Sequence, residues 1–389
     1  MTTGTATRTT DVVFTFSWET YSDAVHRGMH RPPDRLLTHL LADQRVGKLL
    51  LANPYRSGPV RWARQLVGVR DIAFPSTSDH SLYAPVRLRR EDPTDVPTLA
   101  RAYRRYDSKL AAVVTERGLT SPAVITAHPL AAGLCAFDWA GPITFYARDD
   151  WTELPSRRPY WPAIRAAYRA LAESDRAVVA VSEPILDRIG PRGPAAVVPN
   201  GVDVAEWIGE RPAAPAWLQA IPGPRAIYVG TVDSRLDVEG IQVLAAARPE
   251  LQIILLGHLT EPDYLRPVIG LPNVHLHGNV PRTELVASIR NCDVALLAHR
   301  RNRLTQAMSP LKIYEYLAAG CPVLSVDLAP CRGISDRVLL ADSVVDFVDL
   351  LDRALALGPA HEQERLEFLQ ENSWVARHEQ ILRVALGSA

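Results

Sequence analysis

Ser309, Pro310, Lys312 and Glu315 have the types and spacing of a site for a phosphate-bearing ligand. Ser309 can cap a helix, Pro310 suits the first helical position, where its missing N–H costs nothing, and Gly320 followed by Pro322 stops the helix. The pattern predicts a helix over 310–319. Its free amides and macrodipole favour negative charge, and Lys312 adds a full positive charge in the first turn. Lys312 and Glu315, three residues apart, share a helical face. One ligand could give its phosphate to the lysine and its hydroxyls to the carboxylate, and a nucleoside diphosphate has both groups. The alternative is an exposed ion pair worth about 0.2–0.5 kcal/mol. Against it stands the usage of cations: of 43 basic residues only Lys48, Lys109 and Lys312 are lysines. A lysine at this place is less readily filler, and its compact charge suits a phosphate in a tight pocket.

Strand-like apolar runs alternate with helical patterns along the whole chain, as in parallel sheets covered by helices. A first set of strands is expected at 12–16, 48–52, 123–126, 143–146, 177–181 and 195–198, with helices at 33–41, 96–116 and 162–171. The second has strands at 225–229, 252–256, 274–277, 294–297 and 322–326, with helices at 238–247, 283–291, 310–319 and 343–357. With 389 residues the chain exceeds one ordinary core. Two doubly wound Rossmann-like α/β domains are therefore expected, over 1–205 and 206–370, joined by a proline-rich linker at 211–224. Ligands of such folds sit at the carboxyl ends of strands, so the expected site is a cleft faced by both domains.

Composition narrows the function classes. A formal net charge of zero argues against a nucleic-acid binder, which would need a basic footprint. No apolar run approaches a membrane span, and residues 1–10 are polar without a signal core, so a cytoplasmic protein with a frayed N-terminal tail is expected. Cys135, Cys292, Cys321 and Cys331 lack CxxC spacing and read as reduced packing residues. Charge is uneven, +5 over 1–205 and −5 over the remainder. That leaves open an anionic acceptor, a peripheral membrane association, or simply a solvated face. His26, His30 and His39 have no partner at metal-ligand spacing, so no metal site is expected.

The ordered motifs Val198-Pro-Asn-Gly-Val-Asp203, Ala226-Ile-Tyr-Val-Gly-Thr231, Val274-His-Leu-His-Gly-Asn-Val280 and Ser309-Pro-Leu-Lys-Ile-Tyr-Glu-Tyr-Leu-Ala-Ala-Gly320 resemble the retaining family 4 glycosyltransferases of the GT-B fold. The last motif looks most like a bacterial subgroup that includes teichuronic-acid-type, polysaccharide and glycoside transferases. Trp374 resembles the place where the last helix of such enzymes crosses back, here expected over 371–389.

The resemblance implies that Glu315 accepts hydrogen bonds from the nucleotide ribose and that Lys312 neutralises the diphosphate. Gly230 would let backbone approach the phosphates, with Arg235 as a second cation. His277, Gly278, Asn279 and Val280 would form the loop that reads the base, and Ser309, Pro310 and Leu311 would border the donor. A turn, a plain strand end and an exposed arginine are the ordinary alternatives. Asn200 and Asp203 sit near the expected domain junction, where an Asx turn is the simpler reading. Two departures stand out. A glutamate usual ahead of the one at Glu315 is Ala307 here, which leaves donor-sugar contacts to Met308, Ser309 and their amides. Asp149 and Asp150 occupy the place where related enzymes often carry a histidine facing the sugar.

In the first half, His128 follows strand 123–126, and Asp149 and Asp150 follow 143–146. The paired carboxylates could orient hydroxyls or act as a base with a raised pKa, or one of them could cap the next turn. Glu19, Asp23 and His26 follow 12–16, and a basic loop starts at Arg27 to Arg31. The resemblance implies a metal-independent, retaining transferase without a cofactor. It would move sugar from a UDP-, GDP- or dTDP-sugar to a hydroxyl or amine of a small-molecule, glycan or lipid acceptor. A phosphorylase or epimerase on the same scaffold and a non-catalytic nucleotide-sugar-binding subunit are the alternatives.

Overall fold

A computed structural model describes residues 9–68, 70–260 and 262–387. The expected frayed tail lies mostly in residues 1–8, outside those described, and Thr10 already opens the first strand. The chain divides into two compact units, one of Met1–Pro199 with His378–Ala389, the other of Asn200–Arg377.

The first unit holds β1 (Thr10–Thr15), β2 (Val46–Ala52), β3 (Arg56–Ser57), β4 (His80–Tyr83), β5 (Val86–Arg87), β6 (Ala123–Thr126), β7 (Ile143–Ala147), β8 (Ala177–Ala180) and β9 (Ala195–Val197). Seven of them form a parallel sheet in the order β4-β2-β1-β6-β7-β8-β9, and β3 pairs with β5. The central strands are continuous apolar runs because helices cover both faces of such a sheet. Val12, Val13, Phe14 and all of β6 are accordingly buried. The order reverses between β1 and β6, and at that switch point the chain ends beyond neighbouring strands diverge and leave a crevice.

The second unit holds β10 (Arg225–Val229), β11 (Gln252–Leu256), β12 (Val274–His277), β13 (Val294–Leu297), β14 (Val323–Val326) and β15 (Val338–Ala341) in the parallel order β12-β11-β10-β13-β14-β15. Its switch point lies between β10 and β13. Both units are thus doubly wound α/β sheets, as the alternation of patterns predicts.

Three expectations are corrected. The segment 211–224 is no linker: it lies inside the second unit and forms the short helix Ala216–Gln219, whose Leu218 is fully buried in that unit's core. Prolines exclude long regular elements without detaching a chain from its core. The division falls at Pro199, before the expected residue 205, and the chain re-enters the first unit at His378 rather than 371. Trp374 stays in the second unit, where its N–H donates to Val202 O at 2.9 Å. The strands β4 and β15 were not expected. One is a half-buried edge strand of mixed polarity, the other a short run whose residues alternate between half-buried and buried.

Candidate nucleotide and acceptor sites

The helix at the centre of the sequence argument spans Leu311–Ala318, with Pro310 at its N-cap position and Gly320 in the left-handed region just past its end. Ser309 does not cap it. The Ser309 hydroxyl instead accepts from Asn200 N–H at 3.2 Å while its carbonyl accepts from Asn200 Nδ2 at 2.6 Å. Pro310, having no N–H, leaves one orphan fewer to satisfy, so the serine is released to tie the loop to Asn200. Asp203 caps the helix Val204–Trp207, the ordinary alternative considered for it.

Lys312 reaches back from that helix to the switch point of the second sheet. Its Nζ lies 3.2 Å from His299 Nε2, just past β13, and 3.9 Å from the ring centre of Tyr228 in β10. Gly230, which follows β10, has φ +130°, and a Cβ there would stand 3.1 Å from Lys312 Nζ. Gly257, past β11, is tighter still, because a Cβ there would meet Gly230 O at 2.2 Å. Glycine at both strand ends lets two backbones and an ammonium converge.

Burial, reinforced by the positive charge of Arg235, lowers the Lys312 pKa from 10.5 to about 7, against the opposing pull of Asp233 and Glu315. Among the described residues Lys312 has no ion-pair partner. Arg235 is held by Asp233, with Nε to Oδ1 at 2.9 Å and Nη2 to Oδ2 at 2.6 Å. Burial holds His299 neutral, well below the ordinary histidine range, and with Nε2 facing the lysine its Nδ1 is a buried atom without a partner. Asp233 is taken by Arg235, which leaves Lys312 without an ion pair and a buried polar atom beside it without a partner. That is the electrostatic form of an anion site.

Glu315 does not pair with Lys312. Its Oε1 takes Arg282 Nη1 at 2.6 Å, and Arg282 also binds Glu206 through Nε at 2.9 Å and lies over the Trp207 ring. The exposed Lys–Glu pair weighed above is therefore not what the fold builds. His277 stacks on Trp217, with ring centres 4.1 Å apart and planes 27° apart, and Gly278 and Asn279 are exposed beside it. Val280 turns inward and packs against the core. Ala307 is buried at the end of the helix Arg303–Ala307, so the position of the missing glutamate faces packing.

In the first unit the switch point gathers aromatic rings. Trp18, past β1, lies 4.5 Å from His128, past β6, and 4.6 Å from Trp151, with the Arg157 guanidinium 4.4 Å above its ring. His128 caps the helix Pro129–Leu134: its Nδ1 accepts from Leu130 N–H, so the neutral ring donates from Nε2 to the Tyr103 hydroxyl at 2.8 Å. Burial, with Arg157 adding to it, lowers its pKa to about 3. Glu19 accepts from Arg148 and from Arg31, each at 3.0 Å. Burial tends to raise its pKa, yet Arg148 and the Ser17 hydroxyl hold it at about 2. Trp18, Tyr103 and His128 form part of the wall of a cavity of about 660 Å³, together with Asn53, Tyr55 and Arg87.

The paired aspartates separate in role. Asp149 pairs with Arg148 at 3.3 Å. Asp150 is buried: its Oδ1 accepts from Thr152 N–H at 3.0 Å and Thr152 Oγ1 at 2.7 Å, and its Oδ2 lies 2.8 Å from Arg188 Nε. Burial raises its pKa, as expected of a base, but those partners make it the anchor of a turn, the alternative allowed for it. Asp23 completes the capping box of the helix Tyr21–His26, and His26 donates to Ser22 O at 2.6 Å. Arg27 is taken up by Asp34 at 2.7 Å.

His39 has carboxylate neighbours that the sequence argument did not give it. It stands 3.3 Å from Asp43, one turn on, and 3.7 Å from Glu379, a grouping that could ligate a metal and that spacing hid because Glu379 is distant in sequence. Arg45 already binds both carboxylates. The four cysteines are free and buried, as expected.

Sequence reasoning missed Trp18, Trp151, Arg148, His299, Asp233, Gly257 and Arg282. Trp18 and His299 were within reach, since each follows an expected strand by two residues, the rule that singled out His128.

Residues 223–356 match the family described as glycosyl transferases group 1. TuaH of Bacillus subtilis (strain 168), a glycosyltransferase provisionally assigned to teichuronic acid biosynthesis, is 23% identical over 195 residues, 48% of this chain and 49% of that one. The chain thus matches about half the length of this curated relative. The fold is similar to that of a trehalose 6-phosphate synthase from Burkholderia multivorans, at a TM-score of 0.66 and 14% identity over 97% of this chain and 98% of the other. It is also similar to HepE of Anabaena, solved with UDP and glucose, at a TM-score of 0.63 and 14% identity over 97% of this chain and 100% of the other. With Lys312, His299 and Gly230 placed at the switch point inside the matched segment, the chain carries a glycosyl transferases group 1 domain within a GT-B fold of two parallel-sheet units.

Proposed function

We propose that this chain transfers a sugar, with retention, from a nucleotide diphosphate sugar to a hydroxyl or amine of a small-molecule, glycan or lipid acceptor, in the cytoplasm and without metal. The observation that carries the donor half is Lys312: a lysine without an ion-pair partner among the described residues, next to Arg235 and under two glycines that leave backbone room. A diphosphate would supply the missing negative charge, and the first amides of the helix Leu311–Ala318 would share it. UDP is the first base to try, since the similar HepE structure holds UDP. In the proposed step the bond between the anomeric carbon and the diphosphate oxygen breaks, the acceptor oxygen bonds to that carbon on the same face, and its proton passes to the leaving diphosphate. The chain's part is to position both substrates and stabilise charge on the leaving group.

Calorimetry with UDP-, GDP- and dTDP-sugars tests this. Binding of one donor should persist in EDTA, and Lys312→Ala should weaken it about 10–100-fold, as expected for the loss of a charge-assisted hydrogen bond. Glu315→Gln should narrow the preference for ribo- over 2′-deoxy-nucleotides. Abolition of binding by EDTA, or wild-type affinity in Lys312→Ala, would overturn the donor assignment.

A further inference from the structure

Exposed apolar side chains are concentrated in one region of the first unit. On and after the helix Gly58–Leu66, Trp62 is 61% exposed, Leu66 89% and Val67 77%, and past β5 Leu88 is 85% exposed. Val60 and Val86 add to the group. Burying such side chains is worth about 1.5–3 kcal/mol each, so several left in water mark a surface that something covers. The charge around them is mostly positive. From Arg56 to Arg90 the sequence has seven arginines and two aspartates, and Arg70, Arg89 and Arg90 are exposed. Much of the +5 of the first half therefore sits here.

We propose that the segment 58–90 docks this chain on an anionic lipid surface. Trp62, Leu66, Val67 and Leu88 would enter the boundary between headgroups and acyl chains, and Arg70, Arg89 and Arg90 would face the phosphates. A short helix with an exposed tryptophan and leucine, with exposed Arg70, Arg89 and Arg90 in the same segment, has the chemistry of interfacial binding, and the charge complements an anionic leaflet. A partner protein would be expected to bring carboxylates of its own, and a second copy of this chain would set arginine against arginine, which disfavours self-association through this patch. No described helix is long and apolar enough to cross a membrane, so attachment would be peripheral. Val60, Arg70 and Arg90 also line the 660 Å³ cavity. A docked chain would therefore open that cavity toward molecules held in lipid, a consequence that rests on the transferase reading.

Sedimentation with vesicles of phosphatidylcholine alone, or with about a third phosphatidylglycerol, tests the docking independently of any sugar transfer. The full chain should partition to the anionic vesicles, less so as salt rises, and hardly to the neutral ones. Arg89→Ala should weaken partition about fivefold, the share of one arginine at such a surface. Trp62→Ser with Leu66→Ser should abolish it, with an unchanged melting temperature and unchanged nucleotide-sugar affinity showing that the fold is intact. None of the three substituted residues lines the cavity. Wild-type chain that stays in the supernatant with both vesicle types refutes the proposal, as does a double variant that sediments like wild type. A dimer in solution that the double variant abolishes, without vesicle binding by the wild type, would assign the patch to self-association instead.

Discussion

Donor binding should take up a proton, because Lys312 is poised near pH 7. Its free pKa is about 7, against 10.5 for an ordinary lysine. At pH 8 about nine-tenths of the chains should therefore hold a neutral amine. Diphosphate oxygens at Nζ favour the ammonium, so the complex holds the proton that the free site has lost. The sign follows: the bound pKa exceeds the free one, and affinity falls as pH rises between the two, by up to about tenfold per unit. The same lowering acts on folding. Below pH 7 the free fold carries a burial cost of about 5 kcal/mol at this lysine. Between 7 and 10.5 the unfolded chain binds the extra proton, so stability of the ligand-free chain rises with pH in that window. Calorimetry with a nucleotide sugar, whose esterified diphosphate does not titrate here, should be run at pH 8 in two buffers of different ionisation enthalpy. The slope of heat against buffer enthalpy should report uptake of about 0.9 proton, and Lys312→Met should abolish the slope. His299 is held neutral, and an arginine keeps its charge across this range, so neither supplies an alternative proton. Heat that is the same in both buffers, or a slope surviving in Lys312→Met, would refute the reasoning.

Glu19 should stabilise the first unit in a pH-dependent way, since its folded pKa of about 2 lies below the ordinary 4.5. The contribution, about 3 kcal/mol, is present above pH 4.5 and is lost as pH falls toward 2. Urea midpoints at pH 7 and pH 3 should differ less in Glu19→Gln than in wild type, and an equal difference would remove Glu19 from the account. The paired glycines should differ in their effect on binding. Gly257→Ala, at φ +146° with its Cβ 2.2 Å from Gly230 O, should cost about 2–4 kcal/mol. Gly230→Ala, at φ +130° and with its Cβ 3.1 Å from Lys312 Nζ, should lose stability too and in addition weaken nucleotide binding; a Gly257→Ala chain that melts like wild type would count against the close approach.

The two sheets were legible because burial on both faces forces unbroken apolar runs, and such runs survive in any reading of the sequence. Nine of the thirteen strands in them needed nothing more, and β12, a partly buried Val-His-Leu-His, with β9, β4 and β15 show the limit of the signal. Of these, β9 was found from a run of alanines and valines beside a proline, while β4 carries as much polar as apolar character and reads as a strand only beside β2. The linker was misread for a related reason. Prolines report what a backbone cannot do locally, and whether Leu218 then reaches a core depends on residues far away in sequence.

The nucleotide site was legible in part, and the division follows sequence distance. Lys312 and the helix that carries it are local, so caps and breakers revealed them. What gives the lysine its chemistry is not local. His299 arrives from β13, Tyr228 from β10, and the glycines from the ends of β10 and β11, so the amine is enclosed only after parallel strands distant in sequence pair. The spacing argument paired Glu315 with Lys312 because three residues on a helix are neighbours, but a helix buried on one side offers its carboxylates to other elements too. Arg282, on the helix Arg282–Arg290, takes Glu315 and Glu206 together, and so draws Glu315 away from Lys312. That exchange of partners is what leaves a partly buried cation uncompensated at a strand end, and an uncompensated cation is the property that a diphosphate requires.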